Sequence, residues 1–262
     1  MEPIAGTAAT YVTSTRPPDL AARLLPSWVF YAKLLRAVFH YSAVARRHQY
    51  DAAAWHASSL AVLHALESVG VQIQISGLPI LNTVDGPCVL VANHMSTLET
   101  IILPGIVQPY KDVTFVVKRG IVEYPVFKHI MRARDPIVVD RVSPRADLAR
   151  VLEDGPRILQ SGRSIVVFPQ TTRTHVFDPA QFNSIGVKLA RQAGVPIVPV
   201  AVRSDAWGIG RFVKEFGRIN PALPVRLAFG DPIALQGRGS AEHHAAVNFI
   251  RTTLQSWGCP TL

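Results

Sequence analysis

A chain of 262 residues, 48% hydrophobic and 17% charged, holds enough apolar material for one substantial core. A formal net charge of +9 points to an anionic partner, while Cys88 and Cys259 alone give neither a disulfide framework nor a cysteine metal site. No stretch reads as a membrane span, Met1-Glu2-Pro3-Ile4 does not read as a secretory leader, and no nucleic-acid motif accompanies the basic residues.

Residues 1–18 are small and polar, end in Pro17-Pro18 and are expected to be poorly ordered. Residues 27–47 read as a helix with Lys33, Arg36, His40 and Arg47 on one side. Trp28, Tyr31, Leu35, Val38 and Phe39 fall opposite. Two readings stand open for this segment: a helix lying in an anionic membrane interface, or a surface helix packed on the core. Asp51 is placed to cap a second helix that ends at Gly70. Residues 1–70 therefore read as a tail plus two membrane-associating helices, and 71–262 as a separate α/β unit.

Beyond Gly70 the period changes to short β-branched runs alternating with helices. Strands are expected at 71–75, 87–92, 113–117, 136–139, 164–168, 196–202 and 225–229. Helices are expected at 97–103, stopped by Pro104, then near 124–131, 146–159, 185–192 and 243–254. This alternation predicts an α/β fold: a mainly parallel central sheet with helices on both faces.

Chemistry gathers where strands end. Asn93-His94-Met95-Ser96-Thr97-Leu98-Glu99 follows the apolar run Val89–Ala92. Histidine titrates near neutrality, and a carboxylate can fix its tautomer and stabilise its protonated form. Five positions apart on one helix, the two side chains would point about 140° apart. They meet only if His94 precedes the helix and Glu99 lies in its first turn. Ser96-x-x-Glu99 is a capping-box pattern that starts a helix there, and equally a reason for Glu99 to be a cap and nothing more. Lys118-Arg119, Asp140-Arg141 and Gln170-Thr171-Thr172-Arg173-Thr174 follow three further strands. Guanidinium forks suit phosphate, and threonine hydroxyls can add to such a cradle. No serine-hydrolase elbow, phosphate-binding P-loop or zinc-protease motif occurs, and no metal-ligating set is apparent.

Taken in order, Asn-His-x-Ser-x-x-Glu, Ile137-Val138-Val139-Asp140-Arg141, Phe168-Pro169-Gln170-Thr171-Thr172-Arg173 and Val195-Pro196-Ile197-Val198-Pro199-Val200 resemble the glycerolipid acyltransferases of the 1-acylglycerol-3-phosphate acyltransferase type. The resemblance runs from about Val71 to Ile233. It implies His94 as general base oriented by Glu99, and an acyl thioester donor, acyl-CoA or acyl carrier protein, with no cofactor or metal. It also implies a lysophospholipid acceptor held by Arg141 and Arg173, with Lys118, Gln170, Thr171 and Thr172 as further binding candidates. Attachment to the cytoplasmic face of the inner membrane through the basic N-terminal helix would follow. Two departures stand out. The family's usual His-x4-Asp is His-x4-Glu here, and its usual Phe-Pro-Glu-Gly-Thr-Arg is Phe-Pro-Gln-Thr-Thr-Arg. The second leaves the acceptor open, between lysophosphatidate, glycerol 3-phosphate, another lysolipid or an amino-acid lipid. A catalytically silent lipid-binding adaptor would also keep the fold.

Overall fold

The apolar runs assemble into one eight-stranded sheet in a computed structural model that describes residues 10–14, 17–125, 127–170, 172–211 and 213–262. In chain order the elements are β1 (Thr10–Val12), α1 (Leu20–Leu24), α2 (Pro26–Arg46), α3 (Ala52–Glu67), β2 (Ile73–Ser76), β3 (Val89–Ala92) and α4 (Leu98–Val107). They continue with β4 (Val113–Lys118), α5 (Arg119–Glu123), α6 (Phe127–Arg132), β5 (Ile137–Val139), α7 (Pro144–Gln160) and β6 (Ser164–Val167). Then follow α8 (Ile185–Ala193), β7 (Ile197–Arg203), β8 (Val225–Phe229) and α9 (Ser240–Ser256).

The strand order is β1-β2-β8-β7-β3-β6-β4-β5. Only the β1–β2 and β7–β8 pairs are antiparallel, so the sheet is mainly parallel. β3 lies at its centre, paired to β6 on one side and β7 on the other. Buried on both faces, these strands have no polar alternation to show. Leu90, Val166 and Val200 point toward a core shared with α2, α3 and α4, and Val89, Val91, Ile165 and Val167 toward one shared with α7, α8 and α9.

Several expectations are corrected in detail. Within the tail expected to be poorly ordered, Thr10–Val12 pairs with β2, because Tyr11 and Thr13 donate to the Glu67 carboxylate at 2.6 and 2.8 Å; residues 1–9, 15 and 16 lie outside the described residues. Pro104 does not stop α4, which runs on to Val107. Its ring forfeits one backbone hydrogen bond, but Ile102, Leu103, Ile106 and Val107 are all buried and offset that loss. At Gly105 a Cβ would come within 2.7 Å of Ser59, so glycine lets α3 and α4 approach closely. The helix expected near 124–131 is instead two short ones, α5 and α6. Tyr124, extended at ψ 126° before Pro125, separates them.

The helix over 27–47 also divides differently from its expected two-sided pattern. Phe30, Leu34, Val38, Ser42 and Ala45 form the buried face of α2. Trp28 and Phe39, at 77% and 57% exposure, stand with Leu35 on a second face roughly 100° round the axis. Val38, expected among the exposed aromatics, belongs to the core instead, because that side of α2 rests on α3. The cationic stripe makes a third face. Leu20 and Leu24 of α1, and Leu25 that follows it, are exposed as well. Among the described residues no helix is long and apolar enough to cross a membrane.

Candidate active site

The end of β3 is fixed before the chain reaches His94. Asn93 takes the Val202 N–H on its amide oxygen at 2.7 Å and gives its amide to the Val202 carbonyl at 2.8 Å. That double contact locks β3 to β7 one residue before His94. His94 lies in the loop and Glu99 in the first turn of α4, the one arrangement in which a five-residue spacing brings the pair together. The His94 Nδ1 to Glu99 Oε1 distance is 2.9 Å. An ionised carboxylate only accepts, so Nδ1 carries the proton and Nε2 is left with a free lone pair.

Glu99 is fully buried. Its Oε1 also accepts from the Met95 and Ser96 N–H groups at 2.6 and 2.9 Å. Its Oε2 accepts from Ser204 Oγ at 2.6 Å and Ser96 Oγ at 3.0 Å. Burial pushes the carboxyl upward, but the bonds from His94, Ser204 and Ser96 outweigh it, and Glu99 is held below its ordinary range. The capping-box reading and the catalytic reading therefore coincide. Glu99 caps the Ser96 N–H and orients His94 with the same oxygen. Ser96 Oγ meanwhile accepts from Leu98 N at 3.0 Å.

The segment after β6 holds the other side of His94. Gln170, only 3% exposed, presents its amide oxygen to the His94 N–H at 2.7 Å. A backbone donor fixes which end of the amide faces it, so the oxygen assignment is firm. Thr174 N donates to the His94 carbonyl at 3.0 Å, and the Phe168 ring stacks on the imidazole with centroids 4.6 Å apart. Expected among the substrate-binding residues, Gln170 is found bracing the histidine. Thr171 lies outside the described residues, and Thr172 is exposed beside it.

Arg173 reaches back toward the His94 turn. Its guanidinium donates to Thr97 Oγ1 and, at 2.8 Å, to Glu215. Arg141 follows β5 in a left-handed conformation, φ 58°, while Asp147 accepts from the N–H groups of Asp140 and Arg141 at 3.1 and 3.3 Å. Desolvation lowers the Arg141 pKa, Asp147 opposes that, and Arg173 reinforces it. The structure thus brings Arg141 and Arg173 into electrostatic contact, although β4 and β6 separate β5 from β3. Lys118, at the exposed end of β4, lies in register with Val139 rather than beside His94. Arg119 is paired with Asp140. A cavity of about 350 Å³ opens between α7 and α8, with Val167, Phe168 and Ile185 on its apolar walls and Arg141, Gln170 and Lys188 among its polar ones.

Ser204 was not evident from the sequence. It lies outside the recurring motifs, and only the adjacency of β3 and β7 brings it to Glu99.

A buried histidine–carboxylate pair at the end of a central parallel strand, with arginines after β5 and β6, is an arrangement that can activate a hydroxyl beside an anionic group. The model of the family described as Acyltransferase matches residues 72–203, and the chain belongs to that family. It is 28% identical over 193 residues to the 1-acyl-sn-glycerol-3-phosphate acyltransferase of Pseudomonas aeruginosa, covering 74% of this chain and 70% of the relative. It is 33% identical over 131 residues to 1-acyl-sn-glycerol-3-phosphate acyltransferase BAT2, chloroplastic, of Brassica napus, there covering 49% of this chain and 36% of the relative. The crystal structure of the 1-acyl-sn-glycerophosphate (LPA) acyltransferase PlsC from Thermotoga maritima superposes with a TM-score of 0.65 over 90% of this chain and 96% of that one. At 19% identity that likeness concerns the fold.

Proposed function

We propose that this enzyme transfers a fatty acyl group from an acyl thioester, acyl-CoA or acyl carrier protein, to the free hydroxyl of 1-acylglycerol 3-phosphate, giving phosphatidate. The observation that carries this reading is the Nδ1 bond of His94 to Glu99, which leaves the lone pair of the neutral imidazole on Nε2. The acceptor oxygen attacks the thioester carbonyl carbon while its proton passes to Nε2. The tetrahedral intermediate then expels the thiolate, which takes the proton back from the imidazolium and leaves as thiol. Glu99 stabilises the imidazolium between the two steps. Arg173 and Arg141 bind the acceptor phosphate, bidentate geometry being the strength of guanidinium.

The exposed apolar side chains Leu20, Leu24, Trp28, Leu35 and Phe39, beside the cationic stripe of α2, support a reaction at an anionic membrane surface, and the proposal puts that surface on the cytoplasmic face of the inner membrane. Thioester consumption measured with lysophosphatidate, glycerol 3-phosphate, a lysophosphodiester lipid and monoacylglycerol tests the acceptor. Lysophosphatidate is expected to give the highest kcat/KM; equal rates with monoacylglycerol would remove the phosphate from the argument, and no consumption with any acceptor would leave only the adaptor reading. In flotation with anionic vesicles, the wild type is expected to rise with lipid and the W28S/F39S variant to remain behind. Equal flotation of the two would refute these side chains as the anchor.

A further inference from the structure

We infer that Ser204 is a positioning residue for the catalytic pair, part of a cradle built to the length of glutamate and unsuited to the shorter aspartate. The inference rests on His94 being the base.

Donors surround both oxygens of the Glu99 carboxylate. Ser204 is fully buried, and its hydroxyl proton is committed to Oε2 at 2.6 Å. Ser96 Oγ lies 3.0 Å from the same oxygen and 2.9 Å from Ser204 Oγ, so its single proton serves one or the other. His94 Nδ1, Met95 N and Ser96 N converge on Oε1. Every one of these groups can donate, and a protonated Glu99 would find an acceptor only by turning a serine hydroxyl away from the carboxylate. The cradle therefore keeps the carboxylate ionised inside the core.

The two oxygens are held differently. Oε1 is fixed by the loop after β3 alone, whereas Oε2 takes Ser96 N and Oγ of that loop at 3.2 and 3.0 Å and, at 2.6 Å, Ser204, the first residue after β7. Ser204 is itself anchored, its N–H lying 3.4 Å from Met95 Sδ. An aspartate at position 99 would draw the carboxylate back by about 1.5 Å, one carbon–carbon bond. It could not then hold the loop and Ser204 together without moving the start of α4. Removing the Ser204 hydroxyl has a different consequence. Oε1 keeps its backbone donors, but the carboxylate loses its bond from β7, becomes more basic and stabilises the imidazolium more strongly. The His94 proton affinity rises.

Two variants test this, with His94→Ala as the control for the base. Ser204→Ala is expected to lower kcat roughly tenfold with acceptor KM unchanged. It should also move the acid limb of the kcat/KM profile upward by roughly half a pH unit. Glu99→Asp, which keeps the charge and Ser204, is expected to lose at least roughly tenfold in kcat. A folded Ser204→Ala enzyme with wild-type kcat and an unmoved acid limb would overturn the inference, as would a Glu99→Asp enzyme of wild-type activity. If Ser204→Ala does not fold, Glu99→Asp alone decides. Activity in His94→Ala would defeat the underlying base reading; an inactive His94→Ala beside unaffected Ser204 and Glu99 variants would defeat the cradle only.

Discussion

The base and the cations of this site differ in how complete they are. At the end of β3, His94 is gripped through its backbone N–H, its carbonyl, its ring and its Nδ1, and Glu99 is buried under converging donors. After β5 and β6, Arg141 is exposed and Arg173 is held by Thr97 and by Glu215, a carboxylate 48% exposed to solvent. If His94 is the proposed base, it needs no reorganisation when substrate arrives, which is what preorganised catalysis requires. The arginines instead hold local partners that an incoming phosphate would have to replace. On the proposed function, chemistry is prepared in advance, and recognition is by exchange.

The largest effect should come from breaking the prepared half. Glu99→Gln keeps the size of the side chain and removes the charge that stabilises the imidazolium. Turnover is expected to fall roughly 10²-fold, and the acid limb of kcat/KM to move downward, since His94 then binds its proton less tightly. Steady-state kinetics across pH read both effects. A large change in acceptor KM with turnover intact would show that Glu99 serves binding instead.

Smaller, opposite effects should separate the two partners of the exchanging half. Arg173→Ala is expected to raise acceptor KM roughly tenfold, the scale of a charged hydrogen bond. Glu215→Gln releases the guanidinium and is expected to lower acceptor KM roughly twofold to fivefold, since a half-exposed ion pair is worth about 1 kcal/mol or less. A rise in KM in Glu215→Gln would show that Glu215 holds Arg173 in its productive position, and the contrast drawn between the halves would fail.

Much of the site was legible because strand ends announce it. The apolar run into Asn93-His94 marked His94 as the candidate base, and the Ser96–Glu99 cap supplied the geometry in which the five-residue spacing brings the pair together. Gln170 was legible as a residue near the site but not as a brace. Its direction depends on the segment after β6 lying against the loop after β3, a contact between residues 76 positions apart. Glu215 and Ser204 carried no motif at all. The fate of Pro104 was hidden for a related reason: local preference argued for a stop, and burial of the surrounding side chains overrode it.

The sequence by itself determined the alternation of strands and helices, the candidate pair His94 and Glu99, and the basic residues that follow β4, β5 and β6, because these follow from period, capping and the chemistry of single side chains. Only the tertiary structure decided that β7 lies beside β3, that Ser204 closes the cradle of Glu99, and that Arg173 is occupied by Glu215. Those contacts join residues from 42 to 109 positions apart, and the order in which parallel strands pack is written in no local stretch of the chain.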